Sequence, residues 1–438
     1  METVCKREKL IIHGSKSLNG EVSIAGAKNA VLKHMAAALL AKDVSVIYNV
    51  PELTDVEIML DVLSQLGAKT SYNRKEKCLT IDATELTSVF ASDEFVSKMR
   101  ASFVVLGSLV GRMKEAKVAL PGGCAIGARR VDFHIKGIEA LGGECKIESG
   151  YVIAKARRLK GADVWFDIPS VGATENVMLA AVLAEGTTRI QNAAQEPEIV
   201  DLANFLKAMG ANIEGAGTNQ ITITGVTQDQ LHGVEYTTIP DRIEAGTYMS
   251  AIIGTRGKGI IRNIFPNHLT IFTGKLLEMG ARIKLVEPNT MEVSASGKLE
   301  AVNFITQPYP GFPTDLQALA MSLLSTAKGI SVVTESLYEN RFMHVGELWR
   351  MGANIRQNNN SAIIKGVDAL VGARVESPDL RAGAALVVAA LMARGESEVG
   401  KLHHIDRGYE KFVEKLKGLN AHVERVEETD RSSNDATV

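Results

Sequence analysis

The chain has 438 residues, which at about 150 residues per domain allows two or three domains. Its 49 Lys and Arg against 51 Asp and Glu give a formal net charge of −2, which excludes a generally basic nucleic-acid surface but not a local basic pocket. At 45% hydrophobic and 23% charged the composition is that of a packed globular protein. Four scattered cysteines, Cys5, Cys78, Cys124 and Cys145, suit neither a disulfide scaffold nor a CxxC zinc site. The polar start, Met1 to Lys9, lacks the apolar core of a signal peptide, and no apolar run nears the roughly 20 residues that span a bilayer. A cytoplasmic protein with free thiols is expected.

In chain order, two strands come first, Leu10–Ile12 and Glu21–Ile24, with no helix before them. An apolar segment then begins near Lys28, and others follow near Arg100, Gly172, Glu244, Asp315 and Arg381. They are apolar almost all round, so they read as buried helices. Amphipathic helical patterns alternate with them and end six times on one signature. It runs Leu63-Ser-Gln-Leu-Gly67, Ile138-Glu-Ala-Leu-Gly142, Leu206-Lys-Ala-Met-Gly210, Leu276-Leu-Glu-Met-Gly280, Leu348-Trp-Arg-Met-Gly352 and Leu416-Lys-Gly-Leu-Asn420. Gly, or Asn in the sixth copy, suits the left-handed backbone that ends a helix. Strands such as Gln220–Thr224 and Ser361–Ile364 fill the rest of each unit. After Asn420 the sixth unit has the strand His422–Val426 and then a polar tail, 427–438, expected to be disordered. The N-terminal strands therefore complete the sixth unit. Six units divide into two domains of three, 28–239 and 240–438 plus 1–27, with a ligand cleft expected where the two meet.

The common nucleotide and metal fingerprints are missing: there is no GxGxxG, no GxxxxGK[ST] and no HExxH, and His403-His404 is not spaced for a metal. Cations stand instead at the starts of the apolar helices: Lys28 beside Asn29, then Arg100, Arg242 and Arg381. A helix N-terminus with an added cation makes an anion site. Lys28 has no acidic neighbour within six residues and reads as functional, whereas Arg242 is expected to pair with the adjacent Asp241 or Glu244. The loop Leu120-Pro-Gly-Gly-Cys-Ala-Ile-Gly-Ala-Arg-Arg130 either sets Cys124 near two guanidinium groups that would stabilise a thiolate or is a glycine loop whose cysteine simply fills space. The other three cysteines read as space-filling. Asp315 lies at a helix start, where it serves as a cap or as a functional carboxylate.

Together these motifs resemble one family. Gly26-Ala-Lys-Asn29, Pro121-Gly-Gly-Cys-Ala-Ile-Gly-Ala-Arg129, Ser170-Val-Gly-Ala-Thr174, Phe312-Pro-Thr-Asp315, Glu339-Asn-Arg-Phe-Met-His344, Asp379-Leu-Arg-Ala382 and His404-Ile-Asp-Arg-Gly-Tyr409 look like the UDP-N-acetylglucosamine enolpyruvyl transferases (1-carboxyvinyltransferases). The resemblance runs in order from about Leu10 to Arg425. It implies an α/β fold of two domains, each with three βαβαββ units around buried helices (an inside-out α/β barrel). It also implies the first committed step of peptidoglycan synthesis, transfer of the enolpyruvyl group of phosphoenolpyruvate to the 3′-hydroxyl of UDP-N-acetylglucosamine with release of phosphate. Cys124, Asp315, Lys28 and Arg407 are the catalytic residues by this resemblance. Cys124 is the general acid and Asp315 takes or orients the sugar hydroxyl proton. Lys28, Asn29, Arg129, Arg341, Arg381 and Arg407 serve phosphoenolpyruvate. Asn29, Arg100, Arg129, Arg130, Val131, Asp132, Phe133, Ser170, Val171, Gly172, Asp315 and Leu337 serve the UDP-sugar. No metal, organic cofactor, nucleic acid or membrane is implied.

The chain departs from the family pattern at Arg130, usually proline, at Phe133, often leucine, and at Ile168-Pro169, where a lysine is common. Altered uridine contacts are expected, with Arg130 compensating. Two rivals remain: 5-enolpyruvylshikimate-3-phosphate synthase, which shares the fold, and a silent paralogue that senses UDP-sugar. The Cys124 loop and the Ser170 turn argue against the first; retention of Lys28, Cys124, Asp315, Arg381 and Arg407 argues against the second.

Overall fold

The computed structural model describes residues 8–96, 99–122 and 131–427. The apolar segments form helices Lys28–Ala38, Val105–Met113, Val171–Ala181, Arg242–Gly254, Gln317–Leu324 and Leu380–Met392. Their apolar side chains are shut away from water on nearly every face, as all-round apolar helices require. Burying each Leu, Val or Met contributes about 1.5–3 kcal/mol.

All six signature residues, Gly67, Gly142, Gly210, Gly280, Gly352 and Asn420, have positive φ, between 65° and 106°. In every copy the next residue's N–H reaches the carbonyl five positions back, from Ala68 to Leu63 through Ala421 to Leu416. This is the 6→1 hydrogen bond of a Schellman motif, which satisfies a carbonyl the helix leaves open. The repeat seen in the sequence is thus one C-cap used six times, and each cap turns the chain into a strand.

The described strands form six separate four-stranded sheets and no closed barrel. Every sheet has the same build: a short edge strand parallel to its neighbour, then two antiparallel pairings. The edge strand comes from the preceding repeat. Phe90–Ala91, for example, leaves the first repeat to pair with Glu115–Ala119 of the second. The third repeat returns to the first, because Glu235–Thr237 pairs with Val44–Tyr48. The other three sheets close in the same way through the N-terminus. Glu8–His13 lies between Glu396–Gly400 and His422–Glu427, while Asn19–Ser23 joins Lys258–Arg262. The N-terminal strands therefore supply both the last hairpin partner and the closing strand of a ring of three sheets.

The chain packs as two compact units. The first comprises Ile24–Arg242 with Gln307–Pro313, and the second the described parts of 1–23, 243–306 and 314–438. In the first unit three buried helices meet closely. Ser108 donates to the Ala36 carbonyl at 2.7 Å, and a Cβ at Gly107 would lie 2.3 Å from the Asn176 carbonyl oxygen, so only glycine fits there. In the second unit Ser322 donates to the Ala385 carbonyl at 2.9 Å, joining two helices whose N-terminal ends carry candidate residues. Glu427 ends the last described strand; the rest of the expected tail lies outside the described residues.

Candidate active site

In the second unit Asp315 lies in the short 3-10 turn Thr314–Leu316, just before the buried helix Gln317–Leu324. Arg381 is at the start of Leu380–Met392, where the Asp379 carboxylate accepts from the backbone N–H groups of Arg381 and Ala382 at 2.7 and 3.0 Å. Arg341 comes from the loop after strand Ile330–Thr334. Its Nη2 donates to Asp315 Oδ1 at 2.6 Å, and Arg381 Nη2 donates to Oδ2 at 3.2 Å. The two guanidinium side chains are 4% and 6% exposed and Asp315 is 27% exposed, so the carboxylate forms the accessible end of a buried cationic pair. Arg341 faces the Tyr338 ring at 5.7 Å and Arg381 the Tyr409 ring at 5.8 Å. The Tyr409 hydroxyl in turn shares a hydrogen bond with Thr247 at 2.8 Å. Arg407, two residues earlier, is half-buried at the end of the short helix His403–Asp406. Asp315 is thus engaged by arginines on both oxygens, which goes beyond a helix-capping role.

In the first unit Lys28 is buried. Its ammonium donates to Asp55 at 2.9 Å, and its backbone N–H points to the Asp241 carboxylate at 3.3 Å, capping the helix from another part of the chain. The absence of nearby acids in the sequence therefore did not mean absence of a partner, because Asp55 arrives on helix Thr54–Gln65. Gly26 of the same motif passes so close to Asn49 that a Cβ would lie 1.7 Å from its carbonyl oxygen. Arg242 is also paired with an acid, one that comes from another helix. It makes a two-pronged pair with Glu198 at 3.0 and 3.2 Å and faces the Tyr309 ring at 5.6 Å. Glu244, one of the acids beside it in sequence, accepts from Lys415 at 2.6 Å.

Ser170 caps Val171–Ala181, its hydroxyl accepting from Ala173 N at 3.4 Å, so the Ser170–Gly172 turn presents a helix N-terminus. Beneath it lies His134, one turn into the helix Asp132–Ala140 that also carries Phe133. Asn176 Nδ2 lies 2.6 Å from His134 Nδ1, and Asn176 Oδ1 accepts from Gly107 N at 2.6 Å. Burial, with Arg100 and Lys33 adding to it, pushes the His134 pKa down to about 3. His134 is therefore neutral at physiological pH, accepting at Nδ1. Phe133 packs on Phe166 at 5.8 Å, while Asp132 is exposed and Val131 precedes the helix. Leu337 is exposed in the second unit. Cys124, Arg129 and Arg130 lie outside the described residues. Burial pushes the Cys145 thiol up to about 12 and raises that of Cys78, so neither is a nucleophile at neutral pH. Among the described residues no group of three or more His, Cys, Asp or Glu could hold a metal, and no helix is long and apolar enough to cross a membrane.

The sequence reading missed one buried ion pair beside these groups. Lys33 Nζ lies 3.3 Å from Glu175 Oε2 and donates to the Asn29 carbonyl at 3.3 Å. It links the turn bearing Asn29 to the helix that begins at the Ser170 turn. A lysine inside an otherwise apolar helix was the available signal, since a buried charge needs a partner.

Residues 12–416 match the family model described as EPSP synthase (3-phosphoshikimate 1-carboxyvinyltransferase). UDP-N-acetylglucosamine 1-carboxyvinyltransferase 2 of Carboxydothermus hydrogenoformans is 56% identical over 420 residues, covering 96% of this chain and 99% of the relative. UDP-N-acetylglucosamine 1-carboxyvinyltransferase 1 of Staphylococcus aureus (strain N315) is 50% identical over 421 residues, covering 96% and 99%. Among solved structures, the enolpyruvyl transferase NikO from Streptomyces tendae matches with a TM-score of 0.89 at 25% identity, over 97% of this chain and 100% of that one. An EPSP synthase from Acinetobacter baumannii matches with a TM-score of 0.72 at 17% identity over 96% and 100%, a likeness of fold. The full-length matches in sequence and in fold agree: the chain belongs to the EPSP synthase (3-phosphoshikimate 1-carboxyvinyltransferase) family of enolpyruvyl transferases.

Proposed function

We propose that this protein transfers the enolpyruvyl group of phosphoenolpyruvate to the 3′-hydroxyl of UDP-N-acetylglucosamine and releases phosphate, in the cytoplasm, as the first committed step of peptidoglycan synthesis. The observation that carries the reading is Asp315 held at 2.6 and 3.2 Å by two buried arginines, in a chain 56% identical to a UDP-N-acetylglucosamine 1-carboxyvinyltransferase. Phosphoenolpyruvate carries a phosphate and a carboxylate, and fixed guanidinium groups bind both without reorganisation. Arg341, Arg381 and Arg407, with Lys28, Asn29 and Arg129, supply those donors. A carboxylate has about four lone-pair sites, and Arg341 and Arg381 donate to different oxygens of Asp315, which fixes its orientation. Asp315 thus orients the 3′-hydroxyl and receives its proton.

The addition step delivers a proton from Cys124 to the methylene carbon while the sugar oxygen bonds to C2 of the enol. The tetrahedral adduct then loses a proton from the new methyl group. The carbon–oxygen bond to phosphate breaks, and the double bond is restored. Asn29, Arg100, Arg130 to Phe133, Ser170 to Gly172 and Leu337 bind the UDP-sugar. In this set the neutral His134 supports the Ser170 turn from below.

Phosphate release from both substrates, with and without Cys124→Ala, tests the reaction. Turnover by the wild type that the variant loses is expected; a folded wild type with no turnover sinks the reading. Replacing UDP-N-acetylglucosamine by shikimate 3-phosphate separates the rival synthase. Prolonged exposure to fosfomycin with UDP-sugar present should add its mass to the Cys124 peptide, and an unmodified peptide would count against a reactive thiol. Arg130→Pro should raise KM for the UDP-sugar, and an unchanged KM would refute the compensation assigned to Arg130.

A further inference from the structure

Glu335 directly follows strand Ile330–Thr334 and is 2% exposed. Its carboxylate accepts four hydrogen bonds. Oε1 receives the Thr306 hydroxyl at 2.8 Å and the backbone N–H groups of Leu337 and Tyr338 at 2.9 and 3.2 Å. Oε2 receives the Thr314 hydroxyl at 2.9 Å. Every one of these partners is a donor, so the site is built for an acceptor with two oxygens. Three stretches of chain converge on it: Thr306, Thr314, and the loop that begins at Ser336. The Ser336 N–H donates to the Thr306 hydroxyl at 3.0 Å, and its own hydroxyl bonds the Thr306 carbonyl.

The stretches that converge on Glu335 carry the groups of the proposed reaction. Asp315 follows Thr314 directly, and Arg341 lies on the loop whose first N–H groups Glu335 holds. We infer that Glu335 is a positioning residue for enolpyruvyl transfer: it closes the segment between Thr306 and Thr314 and fixes the loop to Arg341, so that Asp315 and Arg341 meet in one geometry. This inference rests on the reaction proposed above. Glu335 acts through its neighbours and is no proton donor, because all four hydrogen bonds run toward it. A loop end left unpinned costs orientation at the reacting group, and a misplacement of about 1 Å lowers rate by about 100-fold.

The test compares wild type, Glu335→Gln, Thr314→Val and Thr314→Ser by steady-state kcat, KM for each substrate and melting temperature. Hydrogen exchange at the Leu337 and Tyr338 amides is measured alongside. Glutamine presents an NH2 to a group that already donates, and valine removes one donor without changing side-chain size. Glu335→Gln and Thr314→Val should lower kcat about 10- to 100-fold, with Thr314→Ser recovering most of the loss. Exchange at the two amides should speed up in Glu335→Gln. If both variants fold and keep kcat within twofold of wild type, or lose only melting temperature, the positioning role is refuted. Wild-type turnover separately tests the reaction. If it fails, slow exchange at Leu337 and Tyr338 that Glu335→Gln leaves unchanged still overturns the clasp. Should Glu335→Gln not fold, the Thr314 pair decides.

Discussion

Glu175→Gln tests the most unusual electrostatic feature of the first unit. Glu175 is 1% exposed and its closest charge is Lys33 Nζ at 3.3 Å. Among the described residues its carboxylate meets only the Lys33 ammonium, at Oε2, and Oε1 has no hydrogen-bond partner. Desolvation raises its pKa to about 7 from an ordinary 4.5; Lys33 opposes the rise, and Glu198 and Glu196 add to it. The ion pair is therefore too weak to repay the burial of the carboxylate. At about 1.4 kcal/mol per pH unit, the folded state holds this proton more tightly than the unfolded chain by about 3 kcal/mol. The sign follows from the raised folded value. Stability from Glu175 is complete below pH 4.5 and is lost as pH rises through 7. Glutamine carries no such proton. The variant should therefore gain on wild type by about 3 kcal/mol between pH 4.5 and 8.5, whatever constant offset the substitution adds. Urea unfolding followed by fluorescence at several pH values measures the difference. Two curves that stay parallel within about 0.5 kcal/mol across that range would refute the reasoning.

Three further outcomes follow from named contacts. Gly172→Ala places a Cβ 3.1 Å from His134 Cε1, which should displace the Ser170 turn at a cost of about 1 kcal/mol and raise KM for the UDP-sugar about fivefold, with kcat nearly unchanged. Arg341→Lys replaces a planar guanidinium by a compact ammonium; kcat/KM for phosphoenolpyruvate should fall about 10- to 100-fold, and a loss under threefold would contradict its assigned role. Burial, the leading cause in each case, lowers the pKa of His134 to about 3 and of His344 to about 4, so stability from both is present above pH 6.5 and is lost on acidification toward those values. NMR of histidine ring protons should show neither titrating between pH 5 and 8, and a midpoint near 6.5 for either would refute its burial as neutral imidazole.

Local features were legible in the sequence because their causes lie within a few residues. A buried helix shows itself by lacking a polar face, and a Schellman cap shows itself by Gly or Asn at one position. The motif residues Lys28, Ser170, Asp315 and Arg381 all fall at helix starts or the turns before them, as their patterns imply. Partners were not legible. Lys28 meets Asp55 across 27 residues, Arg242 meets Glu198 across 44, and Glu335 gathers Thr306 and Thr314 from 29 and 21 positions away. Nothing in the local pattern of a glutamate after a strand distinguishes a clasp from a solvated side chain.

By itself the sequence determined the number of units, their order and the caps that turn each helix into a strand, because backbone sterics and 3.6-residue periodicity act over one or two turns. The tertiary structure alone decided which sheet each closing strand enters and which charges meet. Glu8–His13 and Asn19–Ser23 enter two different sheets, the second because the closing strand of each repeat pairs in the next sheet of its ring. Asp315 acquires both arginines only when the loop after one strand and the start of a later helix are brought beside it. Charge pairing depends on distance in space, and in this chain that distance is set by rings of sheets closed between residues hundreds of positions apart.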